Sequence, residues 1–95
     1  MSEQAWDLLV AAPARRAIGR LPEKVVGAVL DFVVGPLIEA PYRVGRPLVG
    51  ELAGLFSARV GAYRVVYEID SSEHVVRVLF IDHRADVYRP RDSPR

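Results

Sequence analysis

From Leu55 to Asp82 the chain reads LFSARVGAYRVVYEIDSSEHVVRVLFID, three runs rich in β-branched and aromatic residues. Gly61-Ala62 and Asp70-Ser71-Ser72-Glu73 set them apart. A two-residue link containing glycine is the shortest connection that antiparallel strands accept, so it fixes register as well as topology. Val60 must then face Tyr63, and Arg59 must lie across from Arg64 on one side of the hairpin. The third run, VVRVLFI at 75–81, is apolar on both faces apart from Arg77, which marks it as a central strand. Strands over 55–60, 63–70 and 74–82 are therefore the frame to which the rest must attach.

The first half supplies what covers that frame. Residues 4–11, QAWDLLVA, read as a short strand with Trp6, Leu8 and Val10 on one face. Pro13 suits a helix first turn, and Ala14, Ala17, Ile18 and Leu21 follow at helical spacing, with Arg15, Arg16 and Arg20 opposite. Pro22 opens a second helix, with Glu23 at its positive end and a wide stripe of Val25, Val26, Val29, Leu30, Val33 and Val34. Gly35-Pro36 should kink or end it, with Leu37 and Ile38 extending the apolar face. The stretch from Pro41 to Gly54 reads as loop, and 89–95, RPRDSPR, as a polar tail expected to be mobile. The order β-α-α-β-β-β gives an α+β domain spanning 1–95, two N-terminal helices on one face of a small, mostly antiparallel sheet.

Bulk properties exclude several classes. Ninety-five residues make one domain with a thin core, which a tight partner would help. There is no cysteine, so disulfides and thiolate zinc sites are ruled out. The start lacks the basic region of a signal peptide, and Val25 to Ile38, broken by Asp31, is too short to cross a bilayer. The expected location is the cytoplasm, with no membrane partner. Net charge is only +1, yet residues 41–95 hold nine arginines against seven acids. Arginine's planar fork suits phosphate, but a coding bias produces the same composition.

The chemistry-bearing residues cluster after Arg59. Like charges opposed across strands cost about 0.2–1 kcal/mol, so something negative should lie near Arg59 and Arg64. It is either an internal carboxylate (Glu68, Asp82 or Asp86) or a bound phosphate. His83, among Asp82, Arg84 and Asp86, is a surface residue or the proton-transfer group of such a site. Tyr88 is placed to stack on a base. Tyr63 and Tyr67 alternate with Val65 and read as core or partner-facing, Trp6 as a core anchor under the helices, and His74 as ordinary surface. Two histidines nine residues apart make no metal cluster, and no nucleotide-binding glycine loop or serine nucleophile motif occurs. No cofactor is expected.

The run RVGRPLVGELAGLFSARVGAYRVVYEID at 43–70, followed by IDHRADVYR at 81–89, resembles the RelE branch of the RelE/ParE toxin superfamily, the toxins of bacterial type II toxin–antitoxin pairs. The resemblance covers essentially the whole chain. It implies two helices on a small sheet and an mRNA interferase that enters the ribosomal A site. There the ribose 2′-hydroxyl attacks the neighbouring phosphate and leaves a cyclic phosphate. By position, Arg64 matches the family's phosphate-stabilising arginine and Tyr88 its C-terminal aromatic. The best-known members carry lysines where Leu55 and Ser57 stand here, so the general base falls to His83 or Tyr88. Arg59, Arg64 and Arg84 then balance charge, and Arg46 and Arg77 join Arg84 in holding RNA. The resemblance also implies a cognate antitoxin, through which the complex would bind operator DNA. The alternatives are a ParE-like toxin that binds DNA gyrase without cutting RNA, and an inactive corepressor.

Overall fold

The computed structural model describes residues 5–83. Arg84, Asp86, Tyr88 and the 89–95 tail, each singled out from the sequence, lie outside the described residues. Strand β1 spans Asp7–Val10, helix α1 Ala12–Arg20 and helix α2 Glu23–Phe32. A π-helical turn at Val33–Leu37 prolongs α2, then come a single turn α3 at Pro41–Val44 and a two-residue strand β2 at Arg46–Pro47. Strands β3 Leu55–Val60, β4 Tyr63–Asp70 and β5 Val75–His83 complete the described chain. One five-stranded sheet results, in the order β1-β5-β4-β3-β2, with β1 parallel to β5 and the other pairs antiparallel.

The expected hairpin register is present. Val60 pairs with Tyr63 and Arg59 with Arg64. Gly61 takes φ 60°, the left-handed conformation that a two-residue hairpin turn requires and glycine adopts without strain. β5 is an inner strand, between β1 and β4.

One face of the sheet carries Ala58, Val65, Tyr67, Val76, Val78 and Ile81, all buried against Ala14 and Ala17 of α1 and Val29, Val33 and Leu37 of the second helix. Full burial of each valine here contributes about 1.5–3 kcal/mol. α1 begins with Pro13 in its first turn, and Arg15 Nη1 donates to the Val10 carbonyl at 2.9 Å, tying the helix to β1. The π-turn accommodates Pro36, which has no N–H to give, and the apolar face continues through Leu37 as the sequence implied.

Three features depart from the sequence reading. Residues 41–54 are not simply loop: α3, β2 and a short 3₁₀ turn at Gly50–Leu52 lie there, and β2 adds an edge strand beside β3. Trp6 precedes the strand rather than lying in it; it packs against the core as expected, and its ring also meets Tyr42 and His74. The third lies inside β5. Val66 pairs with Phe80 but Tyr67 pairs with Val78, so Leu79 is an extra residue in a β-bulge. With a side-chain period of two, one extra residue exchanges the faces of everything beyond it. Val76 and Val78 face the helices; after the bulge so do Ile81 and His83, while Phe80 and Asp82 turn to the open face.

Candidate RNA-binding groove and its family

The open face of the sheet reads, row by row, as Arg46–Ser57–Val66–Phe80, then Arg59–Arg64–Asp82, then Leu55–Glu68–Arg77. Above the β2–β3–β4 end lies a cavity of about 700 Å³. Arg43 and Arg46 line it from α3 and β2, Arg59 and Arg64 from the hairpin, and Ser57 forms part of its floor. No carboxylate lines it among the described residues. Arg64 lies low in the sheet, its Nε buried, and Ser57 is only 8% exposed. Four guanidiniums around one concavity repel one another, and an anion relieves that repulsion.

The α3–β2 wall of the groove is set by a close backbone approach. The Tyr67 hydroxyl donates to the Pro41 carbonyl at 2.7 Å, and burial pushes its pKa up to about 12. Gly45, passing directly over it, has no room for a side chain: a β-carbon there would collide with the Tyr67 hydroxyl and crowd the Ser57 carbonyl. Glycine is needed at 45 for space, since its φ of −130° suits any residue.

The sequence-predicted residues divide sharply. Arg46, Arg59 and Arg64 come together in the groove. Asp82, one of three acids expected near the arginine pair, is the β5 register partner of Arg64. Arg77 does not join them: it donates to Glu68 at 3.0 Å and Asp70 at 3.1 Å, farther along the same face. Nor does His83. The bulge turns it to the helix side, where its ring meets Tyr63 edge-on at 5.2 Å. The imidazole expected beside the arginines is thus on the other side of the sheet from them. His74 is exposed, as expected, and stacks on Trp6 at 4.0 Å. Arg43 was missed although Arg46, in the same stretch, was singled out; only the proline that starts α3 hinted at the helical turn that carries Arg43 to the groove. Arg84 and Tyr88 lie outside the described residues.

The family described as "ParE toxin of type II toxin-antitoxin system, parDE" matches residues 4–88. The chain belongs to it. Toxin RelG of Mycobacterium tuberculosis is 51% identical over 76 residues, 80% of this chain and 87% of that protein. Toxin RelE of the same organism is 45% identical over 87 residues, covering 92% of this chain and 90% of its own length. Among solved structures, the RelBE2 toxin–antitoxin complex of M. tuberculosis contains a chain 43% identical with TM-score 0.81, covering 85% of this chain and all of that one. The isolated E. coli RelE toxin shares the fold, with TM-score 0.71 at 20% identity over 88% of this chain and 92% of that. The α+β architecture expected from the sequence is therefore the fold of this toxin family. No helix among the described residues is long and apolar enough to cross a membrane.

Proposed function

We propose that this toxin is an endoribonuclease that cleaves mRNA on the ribosome, with the scissile phosphodiester held in the arginine groove. The observation that carries the reading is the convergence of Arg43, Arg46, Arg59 and Arg64 on one cavity that no carboxylate among the described residues lines. Arginine forks bind phosphate oxygens in pairs, and they can meet the charge that accumulates as the ribose 2′-oxygen attacks phosphorus. That attack forms the 2′-O–P bond, breaks the bond to the 5′-oxygen, and leaves a 2′,3′-cyclic phosphate. The proton lost by the 2′-hydroxyl is balanced by one gained by the departing 5′-oxygen. Arg64 contributes most because it is the one of the four that is partly buried, with its Nε covered. Arg43, absent from the sequence reading, takes a place beside Arg46 as a phosphate contact. His83, on the far side of the sheet, is not assigned the base; Tyr88 and Arg84 remain proposed site residues.

A cognate antitoxin is proposed as the partner that holds the toxin inactive and carries the complex to operator DNA. Leu30 and Val34 on the second helix, 41% and 60% exposed, are apolar surface for it to cover. A second reading, gyrase binding without RNA cleavage, is favoured by the ParE name of the matching family. Expressing the toxin without antitoxin and mapping mRNA 5′ ends in arrested cells separates the two. Codon-phased cuts that vanish with Arg64→Ala support the nuclease. Intact message with DNA breaks supports the gyrase reading.

A further inference from the structure

Four guanidiniums line the groove, whereas a phosphodiester carries a single negative charge. Among the described residues Arg43, Arg46 and Arg59 are in no ion pair. We propose that the groove also binds linear oligophosphates in metal-free form, and that such a chain competes with RNA for it. The ligand is the run of linked phosphates that nucleoside triphosphates and inorganic polyphosphate share. The proposal rests on the phosphate-binding reading of the groove and adds a soluble inhibitor to it.

The arginines reach the cavity from four elements: Arg43 from α3, Arg46 from β2, Arg59 from β3 and Arg64 from β4. Arg46 lies across from Ser57, and Arg59 and Arg64 face each other one same-face row on, about 6–7 Å farther along β3. They surround a concavity instead of following a line. Successive phosphates of an RNA strand are separated by a ribose, whereas directly linked phosphates bring several charges within one such ring. Each guanidinium fork can then take its own pair of oxygens. Ser57, at the floor and 8% exposed, adds a hydroxyl that makes no hydrogen bond to the protein among the described residues, so it can donate to a phosphate oxygen. The wall that carries Arg43 and Arg46 is fixed beforehand by the Tyr67–Pro41 hydrogen bond and the close passage of Gly45, which lowers the cost of ordering the site.

The remaining lining sets what is recognised. Besides the arginines and Ser57, the described lining residues are Val44, Gly45, Pro47, Leu48 and Ala58, with no aromatic ring on which a base could stack. Phosphate number, not base identity, is therefore what the groove reads. Mg²⁺ is held in nucleotide sites by carboxylates together with phosphates. No carboxylate among the described residues lines this groove, and the guanidiniums themselves take the metal's place. Mg²⁺ thus competes with the protein for the oligophosphate instead of bridging the two.

The full-length toxin is titrated calorimetrically with inorganic phosphate, pyrophosphate, tripolyphosphate, AMP, ATP and GTP, with and without Mg²⁺. RNA binding is followed separately with a short, uncleavable 2′-O-methyl oligonucleotide. Kd should fall about tenfold for each phosphate added, the scale of a charge-assisted hydrogen bond. ATP and GTP should bind alike and no tighter than tripolyphosphate, and Mg²⁺ in excess over the phosphates should weaken all three about tenfold. Tripolyphosphate should displace the oligonucleotide. Arg46→Ala and Arg59→Ala should each weaken tripolyphosphate about tenfold, and Arg77→Ala should not. ATP binding far more tightly than both tripolyphosphate and GTP would mean that a base is read, and overturns the proposal. So does tighter binding in the presence of Mg²⁺, or tripolyphosphate bound without displacing the oligonucleotide. Affinity flat in phosphate number, while Arg64→Ala still weakens the oligonucleotide, overturns the proposal and leaves the groove standing. Oligonucleotide binding indifferent to Arg64→Ala overturns the groove itself, whatever the oligophosphates do.

Discussion

Arg64 and Arg77 stand on the same face of the same sheet, two rows apart along β4 and β5, in opposite electrostatic settings. Arg77 has two carboxylates within 3.1 Å, from Glu68 and Asp70, and its charge is spent inside the protein. Arg64 has Arg59 as its β3 partner and Asp82 as its β5 partner, and it opens onto a cavity with two further arginines. One end of the face is an ion-pair network of the kind any sheet surface carries. The other gathers four guanidiniums around one cavity that no carboxylate among the described residues lines. The difference teaches that arginine count, or even arginine on the right face, does not define the site; convergence on one cavity that no carboxylate among the described residues lines does.

The largest expected effect tests that contrast directly. Arg64→Ala should lower mRNA cleavage by about 10²–10³-fold, as removing one preorganised donor to a developing oxyanion does. Arg64→Lys should recover little, since an ammonium cannot reproduce the two-pronged contact. Arg77→Ala should leave cleavage unchanged. Measuring single-turnover cleavage for the three variants on ribosome-bound message checks this; equal losses for Arg64→Ala and Arg77→Ala would erase the distinction.

Next in size is the wall of the groove. Gly45→Ala forces a methyl group into the Tyr67 hydroxyl and the Ser57 carbonyl. Neither is the end of a flexible side chain, so α3 and β2 must shift, at a cost of about 1–3 kcal/mol. Urea denaturation should show the loss, and cleavage should fall beyond what stability explains, because Arg43 and Arg46 ride on the displaced segment. A variant destabilised yet fully active would show that the groove does not depend on that wall.

These two predictions draw on very different amounts of legible sequence. The hairpin register, and with it the Arg59–Arg64 pair, was readable because two turn residues leave no freedom. The helix pair was readable from apolar spacing, and the fold class followed. What was hidden was the bulge at Leu79. Alternation from Val76 through Val78 predicts Asp82 facing the helices and His83 facing the arginines, and one unpaired residue inverts both. Nothing in VVRVLFI marks it, since apolar residues suit either face of an inner strand. Arg43 was hidden for another reason. α3 is one turn long, too short for any periodicity, and its place depends on a hydrogen bond from Tyr67 across 26 residues.

Tyr67→Phe probes the same wall more gently. It removes the hydroxyl that holds the Pro41 carbonyl and should cost about 1 kcal/mol. Its pH signature is specific. The folded state keeps the phenol protonated up to about 12, whereas the unfolded chain ionises near 10.0. The stabilisation is therefore fully present below pH 10.0 and declines as pH rises toward about 12. The phenylalanine variant should lack that decline, so the two denaturation curves should converge on the alkaline side.

The smallest effect belongs to the compensated end of the face. Asp70 accepts from Glu73 N–H at 3.0 Å and from the Ser72 hydroxyl at 2.9 Å, and it pairs with Arg77. The backbone hydrogen bond from Glu73 leads in lowering its pKa below 3.8, with Ser72 next and Arg77 a lesser cause. For a carboxylate depressed on folding, the stabilisation is present above the unfolded value and is lost as pH falls through the folded one. Asp70→Asn should thus narrow its deficit against the parent protein as pH drops below 3.8, and Arg77→Ala should change that acid limb less. Either change should move stability only slightly near neutrality, as solvent-screened pairs do. If Arg77→Ala instead flattened the acid limb more than a loss of the Glu73 and Ser72 contacts, Arg77 would be the organiser of its end rather than an arginine the turn happens to neutralise. Such an outcome would make the two ends of the face more alike than their geometry implies.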